Sequence, residues 1–375
     1  MKRSVARAAA AYRIVLVGAI TAFALATSAP TSATARPAIW VSPSGADANS
    51  GTRRSPVQTI SEAWRRVFGQ GGTIVLLAGA YTGNGYLQLR GEAGGPVTIE
   101  AAPQARPAIT DQVSVWGVRD LTMKNIHFAS PGRGLTGDWP LAVDGCSSNV
   151  TIVDGSGLRF AVVQAYHVVF DGGSWGGYRT DGDQDSMVTS DPSRCDTRGQ
   201  PRTHGIVLDG VTIHDVFWGV SSAGLANSHP DCLQATGPVS DLTIKNSRFL
   251  RCSNSFLMFP MSDMGTAGLR NVTIEHNVFR DLGDSFFGIQ IYDGTADQGW
   301  APCANVVFRA NLYEPGNHAV TGAPYAPLRI ACRGRGHARI VGNTLRMRSY
   351  DRLVQVTGGQ PWHTVWRRNT WPTGR

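Results

Sequence analysis

Short alternations of apolar and polar residues recur along most of the chain and predict many short β-strands. In segments 206–208, 289–291 and 328–330, one intervening residue separates two large aliphatic residues. This spacing is typical of strands that bury one face. We therefore expect an inward-facing set, namely Ile206, Leu208, Ile289, Ile291, Leu328 and Ile330. The expected outward-facing set is Val207, Gln290, Arg329 and Gln355.

One short phrase recurs nine times, as a β-rich triplet, then usually Asn, Asp or Gly, then an apolar or aromatic residue. From Asp241 onward the phrases begin 30, 34, 32 and 26 residues apart. A single turn of chain cannot bury its own apolar face, whereas stacked turns can, so this repetition favours a β-solenoid over a β-sandwich. Asx residues, which tolerate left-handed backbone and can stack as a ladder, recur at the expected bend: Asn125, Asp154, Asp215, Asn246, Asn311, Asn343 and Asn369.

The first 35 residues have the pattern of a signal peptide. Four basic residues precede or begin the apolar run 14–26, and Ala33-Thr-Ala35 supplies the small-residue cleavage pattern. A retained anchor is the alternative, although the run is short for a bilayer span. Cleavage would leave 31 basic and 27 acidic residues. A net charge of +4 gives no case for nucleic acid and is compatible with an anionic glycan. We expect a secreted monomer with no membrane association after cleavage.

All six cysteines follow the predicted signal peptide, and no C-x-x-C pair occurs among them. An even number of cysteines in an oxidising compartment indicates disulfides rather than a zinc or redox centre. Six cysteines allow 15 connectivities. If the chain winds as a solenoid, we expect sequential pairing: Cys146–Cys195, Cys232–Cys252 and Cys303–Cys332.

The N-terminal segments carry a family resemblance. Ile39-WVSPSGADANSGTRRSPVQTISEAW, Gly72-TIVLLAGAYTG and Gly95-PVTIEA resemble the opening of right-handed parallel β-helix proteins of the pectate-lyase-like superfamily. The resemblance implies an all-β fold, a single domain over residues 36–375, with an amphipathic helix capping one end. Helical spacing places five residues on one face of that helix, and Pro56 suits an early position: Ile60, Ala63, Trp64, Val67 and Phe68.

The densest polar cluster spans residues 227–234. His229, Asp231 and Gln234 resemble the H-x-D-x-x-Q phrase of several glycan-active β-helix proteins. His229 is a candidate for proton transfer near neutral pH, and Asp231 for orienting it. A turn in which both residues only satisfy backbone groups is the alternative. Gln234 is expected to face outward in register with Gln290, Arg329 and Gln355, forming a polar stripe suited to sugar hydroxyls.

Further candidates come from neighbouring turns of the predicted coil. Arg202 and His204 precede a strand, so stacking would bring His204 close to Asp231. Arg251 and Arg329 would add fixed positive charge, and guanidinium groups pair bidentately with the carboxylate of a uronic acid. An Arg-rich surface is the plainer interpretation. The remaining candidate substrate-binding residues are Gln290, Tyr292 and Asp293, and the candidate sugar-stacking aromatics are Trp175, Tyr178, Trp218, Tyr292 and Trp300.

Three alternating carboxylates lie in the insertion between residues 172 and 203. Asp181, Asp183 and Asp185 are hard oxygen ligands in the manner of the first half of a calcium loop. The remaining features of an EF-hand are missing, so a solvated acidic loop is equally compatible with the sequence. Calcium is therefore a possible cofactor, and no other cofactor is expected.

Three classes of function follow. A polysaccharide lyase would need a base, a cation or Arg to neutralise the uronate, and an acid; His229 or His204, with Arg202 or Arg251, fits these roles. A C5-epimerase needs nearly the same groups. A glycoside hydrolase needs two carboxylates, and Asp209, Asp231 and Asp293 fall on neighbouring turns. A non-catalytic glycan-binding or surface protein would use the same groups only to bind. We expect the lyase.

Overall fold

Residues 36–375 include three long parallel β-sheets, one along each side of a coil. The structure is a computed structural model. It describes residues 36–91, 94–130, 139–180, 185–190, 203–218, 230–260, 268–282, 288–292, 303–314, 328–331, 338–346 and 364–370. The chain adopts the predicted right-handed parallel β-helix, and in the described part of the chain the strands of these sheets pair in parallel.

The strands of the three sheets follow one another in rotation along the chain. The twelve-stranded sheet contains β1 (Ala38–Val41), β2 (Gly72–Leu76), β5 (Val97–Ala101), β8 (Arg119–Lys124), β11 (Ser148–Val153), β14 (Tyr166–Asp171), β17 (Thr203–Asp209), β20 (Val239–Lys245), β23 (Leu269–Glu275), β26 (Cys303–Arg309), β29 (Ala338–Val341) and β31 (Thr364–Arg367). The ten-stranded sheet contains β3 (Gly79–Tyr81), β6 (Pro107–Ile109), β9 (His127–Phe128), β12 (Ser156–Gly157), β15 (Ser174–Thr180), β18 (Thr212–Trp218), β21 (Arg248–Cys252), β24 (Val278–Arg280), β27 (Leu312–Glu314) and β30 (Thr344–Leu345). The nine-stranded sheet contains β4 (Tyr86–Arg90), β7 (Gln112–Trp116), β10 (Leu141–Asp144), β13 (Phe160–Val163), β16 (Ser186–Thr189), β19 (Leu233–Thr236), β22 (Leu257–Pro260), β25 (Ile289–Tyr292) and β28 (Leu328–Ala331).

The core fills the inside of this coil, as the alternation predicts. Five of the six residues predicted to face inward are fully buried, namely Ile206, Leu208, Ile289, Ile291 and Leu328. The side chain of Ile330 is not among the described parts of the chain. Aromatic residues at matching positions of successive turns stack on one another. Trp175 belongs to this stack: its ring centroid lies 5.8 Å from that of Phe128, two turns earlier, with the ring planes 19° apart, and the residue is fully buried. The expectation that Trp175 stacks on sugar is therefore wrong.

The turn between the twelve-stranded and ten-stranded sheets has two residues, and these have separate roles. The first is in the left-handed region, as at Asn125, Asp154 and Asn246, which have φ of 56°, 48° and 52°. The second carries a buried asparagine ladder through Asn277, Asn311, Asn343 and Asn369. In each described step, the side-chain oxygen accepts from the backbone and side-chain amides of the preceding asparagine.

The sequence pattern does not distinguish these two positions, and it also predicts Asp215 at the bend. The prediction for Asp215 is wrong. Asp215 lies within β18, the strand that directly follows the turn, although its backbone is also in the left-handed region, with φ of 55°. Both kinds of site tolerate Asx residues, so residue type alone does not separate them.

Helix α1 (Ile60–Val67) packs against β1, β2 and β4 at one end of the coil. Four of the five predicted face residues are buried, namely Ile60, Ala63, Trp64 and Val67. Phe68 ends the helix and is 45% exposed. Pro56 lies ahead of the helix, because Thr59 is the N-cap and its hydroxyl accepts from the backbone N–H of Glu62 at 3.1 Å.

The predicted disulfide Cys232–Cys252 is present, with both residues fully buried. Cys146 and Cys303 are also disulfide-bonded. Because Cys195 and Cys332 lie outside the described residues, the other two pairings stay predictions. None of the helical structure in the described part of the chain has the length and apolar character that a bilayer crossing requires.

Candidate functional site

The register of the nine-stranded sheet aligns three of the four positions that the sequence predicts for a polar stripe, namely Gln234, Gln290 and Arg329. Gln234, Met258, Gln290 and Arg329 are successive register partners on β19, β22, β25 and β28. We call these four positions the glycan column. Leu233 and Ala235 flank Gln234 along the strand and are fully buried in the core, so Gln234 alternates to the opposite face.

The two glutamines of the glycan column are nevertheless shielded from solvent. Gln234 is 8% exposed and Gln290 is 5% exposed, and Nε2 of Gln290 donates to the hydroxyl of Ser255 at 3.3 Å. Amide groups held in a partly dehydrated position offer stronger hydrogen bonds than amides on an open surface. The column is thus a sheltered polar strip and not the open stripe that the sequence suggested.

Both edges of the nine-stranded sheet connect to long segments of chain. Residues 219–232 lead into β19, and residues 190–202 lead from β16 to the twelve-stranded sheet. On the third side of the coil, each turn from β8 to β30 has only two residues. Since binding residues concentrate on long connections carried by a rigid scaffold, the nine-stranded sheet is the favoured location for a site.

A ladder of buried polar groups forms the corner just before the nine-stranded sheet. Asp231 is fully buried, and its Oδ1 accepts from the backbone N–H of Ser255 and from Nδ2 of Asn254, each at 2.8 Å. The backbone N–H of Asp231 donates to Oδ1 of Asp185 at 2.6 Å, and Asp185 is 1% exposed. Each carboxylate therefore braces the following turn, which is the turn-stabilising role that the sequence left open for Asp231.

One residue of this corner, Arg159, was missed from the sequence. Arg159, which is 4% exposed, has its guanidinium carbon 5.7 Å from the ring centroid of Tyr178. Burial and the nearby carboxylates of Asp185 and Asp231 raise the pKa of Tyr178 well above its usual range, while Arg159 opposes the shift. The phenol therefore stays protonated and able to donate. In the sequence, Arg159 is marked only by its position as a charged residue directly before the apolar run 160–163.

His204 does not lie in the same corner as Asp231. Asp231 precedes the nine-stranded sheet, whereas His204 is the second residue of β17, beyond the opposite edge of that sheet. The His204 ring stacks on Tyr166, with centroids 5.3 Å apart and planes 5° apart, and it meets the His167 ring edge-on. The expected contact between His204 and Asp231 is therefore wrong, because stacking aligns equivalent positions of successive turns and these two positions are not equivalent.

Arg251 also lies away from the glycan column. It is on β21 of the ten-stranded sheet, where its guanidinium donates through Nε to Oδ1 of Asp215 and through Nη2 to Oδ2 at 2.7 Å. Arg251, together with His214, lowers the pKa of Asp215 to about 2, against the opposing effect of partial burial. Arg251 is thus bound to a carboxylate of the protein, on a different sheet from Arg329.

The carboxylates considered for a hydrolase are separated as well. Asp209 ends β17 at the two-residue turn, where it accepts from Nζ of Lys245 at 3.0 Å and from Nδ2 of Asn246 at 2.7 Å. A whole strand of the ten-stranded sheet, β18, separates it from Asp231 along the chain. These two residues do not form a carboxylate pair.

Several predicted residues lie outside the described parts of the chain: Asp181, Asp183, Arg202, His229, Asp293, Trp300 and Gln355. The side chains of Trp218, Tyr292 and Arg329 are also undescribed, although their strands are. Tyr178 is described, half-buried in the corner before the nine-stranded sheet. Among the described residues no group of three His, Cys, Asp or Glu side chains could hold a metal ion. Asp185 is the described member of the acidic run, and one of its oxygens already accepts from a backbone amide.

No protein-family model matches the chain, and no curated protein matches it. Among solved structures, one titled "Glycoside hydrolase" has a TM-score of 0.61 at 10% identity, covering 89% of this chain and 96% of the other. A mannuronic acid specific polysaccharide lyase from human gut microbiota has a TM-score of 0.48 at 12% identity, covering 89% and 86%. PfbA, a surface adhesin of Streptococcus pneumoniae, has a TM-score of 0.48 at 11% identity, covering 76% and 80%.

The chain therefore has a right-handed parallel β-helix fold, which it shares with the structure titled "Glycoside hydrolase". At these identities the likeness concerns the fold, so any activity has to be argued from the residues.

Proposed function

We propose that this protein is a secreted polysaccharide lyase that holds a uronate-containing glycan along the glycan column. The single observation that carries the proposal is the register of Gln234, Gln290 and Arg329 on one face, between the two edges with long connections. Stacked strands are about 4.8 Å apart. The four strands of the column are separated by three such steps, about 14 Å in all, which leaves room for a few sugar units.

The residue types of the column suit an acidic sugar. Glutamine amides both donate to and accept from hydroxyl groups. An arginine at the Arg329 position supplies the bidentate charge that a uronate carboxylate pairs with. Met258 lies between the two glutamine positions and gives an apolar contact for a sugar-ring face.

Cleavage would proceed by β-elimination. A base removes the C5 proton, the adjacent carboxylate takes up the developing negative charge, and the C4–oxygen bond breaks as that oxygen gains a proton. We assign the base to His229, which lies two residues before Asp231. Arg329 and Arg202 are assigned to charge neutralisation, with Tyr292 and Asp293 as neighbouring contacts. Asp231 then has a positioning role, because its carboxylate is buried and bound to the next turn.

A polyuronate panel tests the activity directly. Polygalacturonate, alginate and a glucuronate-containing glycan are incubated with the protein, and the absorbance of the new unsaturated sugar is followed. We expect one glycan to give this signal. Reducing ends without it would support a hydrolase. Binding without either signal would support a surface protein. Parallel EDTA and calcium add-back tests whether the run from Asp181 to Asp185 serves a calcium-dependent step.

Variants distinguish the column from the rest of the surface. Arg329→Ala should reduce the rate at least about 10²-fold if the guanidinium neutralises the uronate. Arg339→Ala is the matched control, an exposed arginine on β29 of the twelve-stranded sheet, and should leave the rate within about twofold. His229→Ala should abolish elimination while leaving the unfolding midpoint unchanged. Equal effects of Arg329→Ala and Arg339→Ala would remove the glycan column from the mechanism.

A further inference from the structure

A serine, a histidine and an aspartate lie in a hydrogen-bonded row on the outside of the ten-stranded sheet. The hydroxyl oxygen of Ser174 on β15 is 2.9 Å from Nε2 of His214 on β18. Nδ1 of His214 is 2.7 Å from Oδ2 of Asp215. Ser174 is exposed, and the side chains of His214 and Asp215 are each 27% exposed. This is the connectivity of a nucleophile, a base and a group that orients the base.

The local backbone accounts for this row. Successive side chains of a regular strand point to opposite faces. Asp215 has φ of 55°, which departs from strand geometry and accompanies the contact between its side chain and that of His214. Gly176 is the register partner of His214, and a Cβ there would lie 1.6 Å from the His214 carbonyl oxygen. A side chain at that position would displace the strand that carries the histidine.

The charges also fix where the protons lie. Arg251 donates to both oxygens of Asp215 and, with His214, lowers the pKa of this carboxyl to about 2. The carboxylate is therefore ionised at neutral pH and accepts the Nδ1–H of His214. In a neutral imidazole this arrangement directs the Nε2 lone pair at the Ser174 hydroxyl, which is what a serine nucleophile requires of its base.

A cleft of about 630 Å³ opens one strand away from the serine. Its lining includes Arg106, His127, Asp154 and Ser156. Ser156 is the register partner of Ser174 on the adjacent strand, so the cleft reaches to within one strand of the hydroxyl. Alanine and proline residues share the lining with these polar groups, so the cleft offers both apolar and hydrogen-bonding surface to a saccharide.

We propose that Ser174 and His214 are the catalytic residues, and Asp215 the positioning residue, of a second site that hydrolyses carboxylic esters carried by a saccharide. The Ser174 oxygen bonds to the ester carbonyl carbon, and its proton passes to Nε2 of His214. The bond to the sugar oxygen breaks as that oxygen takes the proton, which leaves an acyl-serine. Water then attacks the acyl group, releasing the free acid and restoring Ser174. The site is independent of the glycan column.

The test combines covalent labelling with turnover, using the full-length protein. A fluorophosphonate probe, located by peptide mass spectrometry, should label Ser174, and acetate should be released from O-acetylated xylan. Ser174→Ala should lose both signals, while Ser50→Ala, an exposed serine far along the chain, should retain both. The peptide that contains Ser156 should stay unlabelled, because the residue after its partner His127 is Phe128 and not a carboxylate.

Asp215→Asn separates orientation of the base from a structural effect. It should lower kcat by on the order of 10²–10⁴-fold with KM within about threefold, since the carboxylate orients the base and does not hold the substrate. A cooperative unfolding transition for each variant shows that the fold is intact. Absence of wild-type labelling, labelling that survives Ser174→Ala, or an Asp215→Asn protein with unchanged kcat would each overturn the proposal.

Discussion

Two sides of the coil differ in how much their connections vary. From β8 to β30, every turn between the twelve-stranded and ten-stranded sheets has two residues. At the edges of the nine-stranded sheet, the connections range from the two residues between β19 and β20 to the 14 residues between β18 and β19. The turns of constant length lie on the side that contains the buried asparagine ladder. The connections of varying length lie at the edges of the sheet that carries the glycan column.

The difference shows where the fold tolerates change. Each ladder asparagine satisfies a backbone carbonyl of the preceding turn and accepts from its neighbour, as Asn311 does with Ile274 and Asn277. An extra residue there would shift these buried groups out of reach. Long connections need only join strand ends at the surface, so their length costs little free energy. The constant side therefore holds the register, and the variable side is free to acquire binding residues.

The largest expected effect comes from changing turn length. One Gly inserted between Asn311 and Leu312 would shift β27 by a residue and turn Tyr313, now fully buried, to the other face. We expect a loss of about 4 kcal/mol or more in the free energy of unfolding, measured by urea denaturation. The same insertion between Ala223 and Gly224, within a 14-residue connection, should cost under about 1 kcal/mol. Equal losses would contradict the distinction between the two sides.

Removing one ladder side chain should have the next largest effect. Asn311→Ala deprives the Asn277 amides and the Ile274 carbonyl of their buried partner. We expect a loss of about 2–4 kcal/mol in the free energy of unfolding, since several buried polar groups become unpaired. Asn305→Gly is the control, because Asn305 is exposed with φ of 54° and donates only to Asn271. It should cost at most about 1 kcal/mol, and a larger cost would mean that the exposed Asx column matters equally.

The same comparison explains which predictions succeeded. Strand alternation and the repeated phrase are local signals, so the core residues, the solenoid and the cap helix could be read from the sequence. The corner on which a residue lies depends on the length of each turn, which the phrase does not record. His204 and Asp231 were expected to meet but lie at opposite edges of the nine-stranded sheet.

Residue type alone also does not identify the structural role of the Asx residues. Asn246, Asn311 and Asp215 are all Asx residues near bends, yet one supplies a left-handed turn, one a buried ladder step and one an ion pair. The Ser174–His214 contact was out of reach because 40 residues separate its members and only the register brings them together. Arg159 gave no sequence pattern beyond its place before a strand.

Substitution of Asp231 tests whether the corner before the glycan column stabilises the fold without taking part in cleavage. Asp231→Ala should lower the free energy of unfolding by about 1–3 kcal/mol, because the buried N–H of Ser255 and the amide of Asn254 lose their acceptor. Asp209→Ala is the matched control, with a side chain that is 32% exposed, and should cost under about 1 kcal/mol. If Asp231→Ala abolished cleavage without changing stability, Asp231 would belong to the chemistry and not to the corner.

The smallest effect concerns the Arg251–Asp215 ion pair on the ten-stranded sheet. The folded-state pKa of Asp215 is lowered to about 2 from an ordinary value of 3.8. The pair therefore stabilises the fold above about pH 4, and this contribution is lost as the pH falls from 4 towards 2. Because the carboxylate is 27% exposed, we expect about 1 kcal/mol.

Arg251→Met tests two points: whether the ion pair makes stability depend on pH, and whether Arg251 lies outside the glycan-binding site. It should make unfolding free energy less dependent on pH between 2 and 4, as measured by urea denaturation across that range, and should leave the affinity for a polyuronate unchanged. Arg346→Met, at an exposed arginine that pairs with Glu314 near the far end of the same sheet, serves as the charge-matched control for loss of one cation. A fall in polyuronate affinity specific to Arg251→Met would return this residue to the glycan site. The ten-stranded sheet would then share in the binding that we assign to the nine-stranded sheet alone.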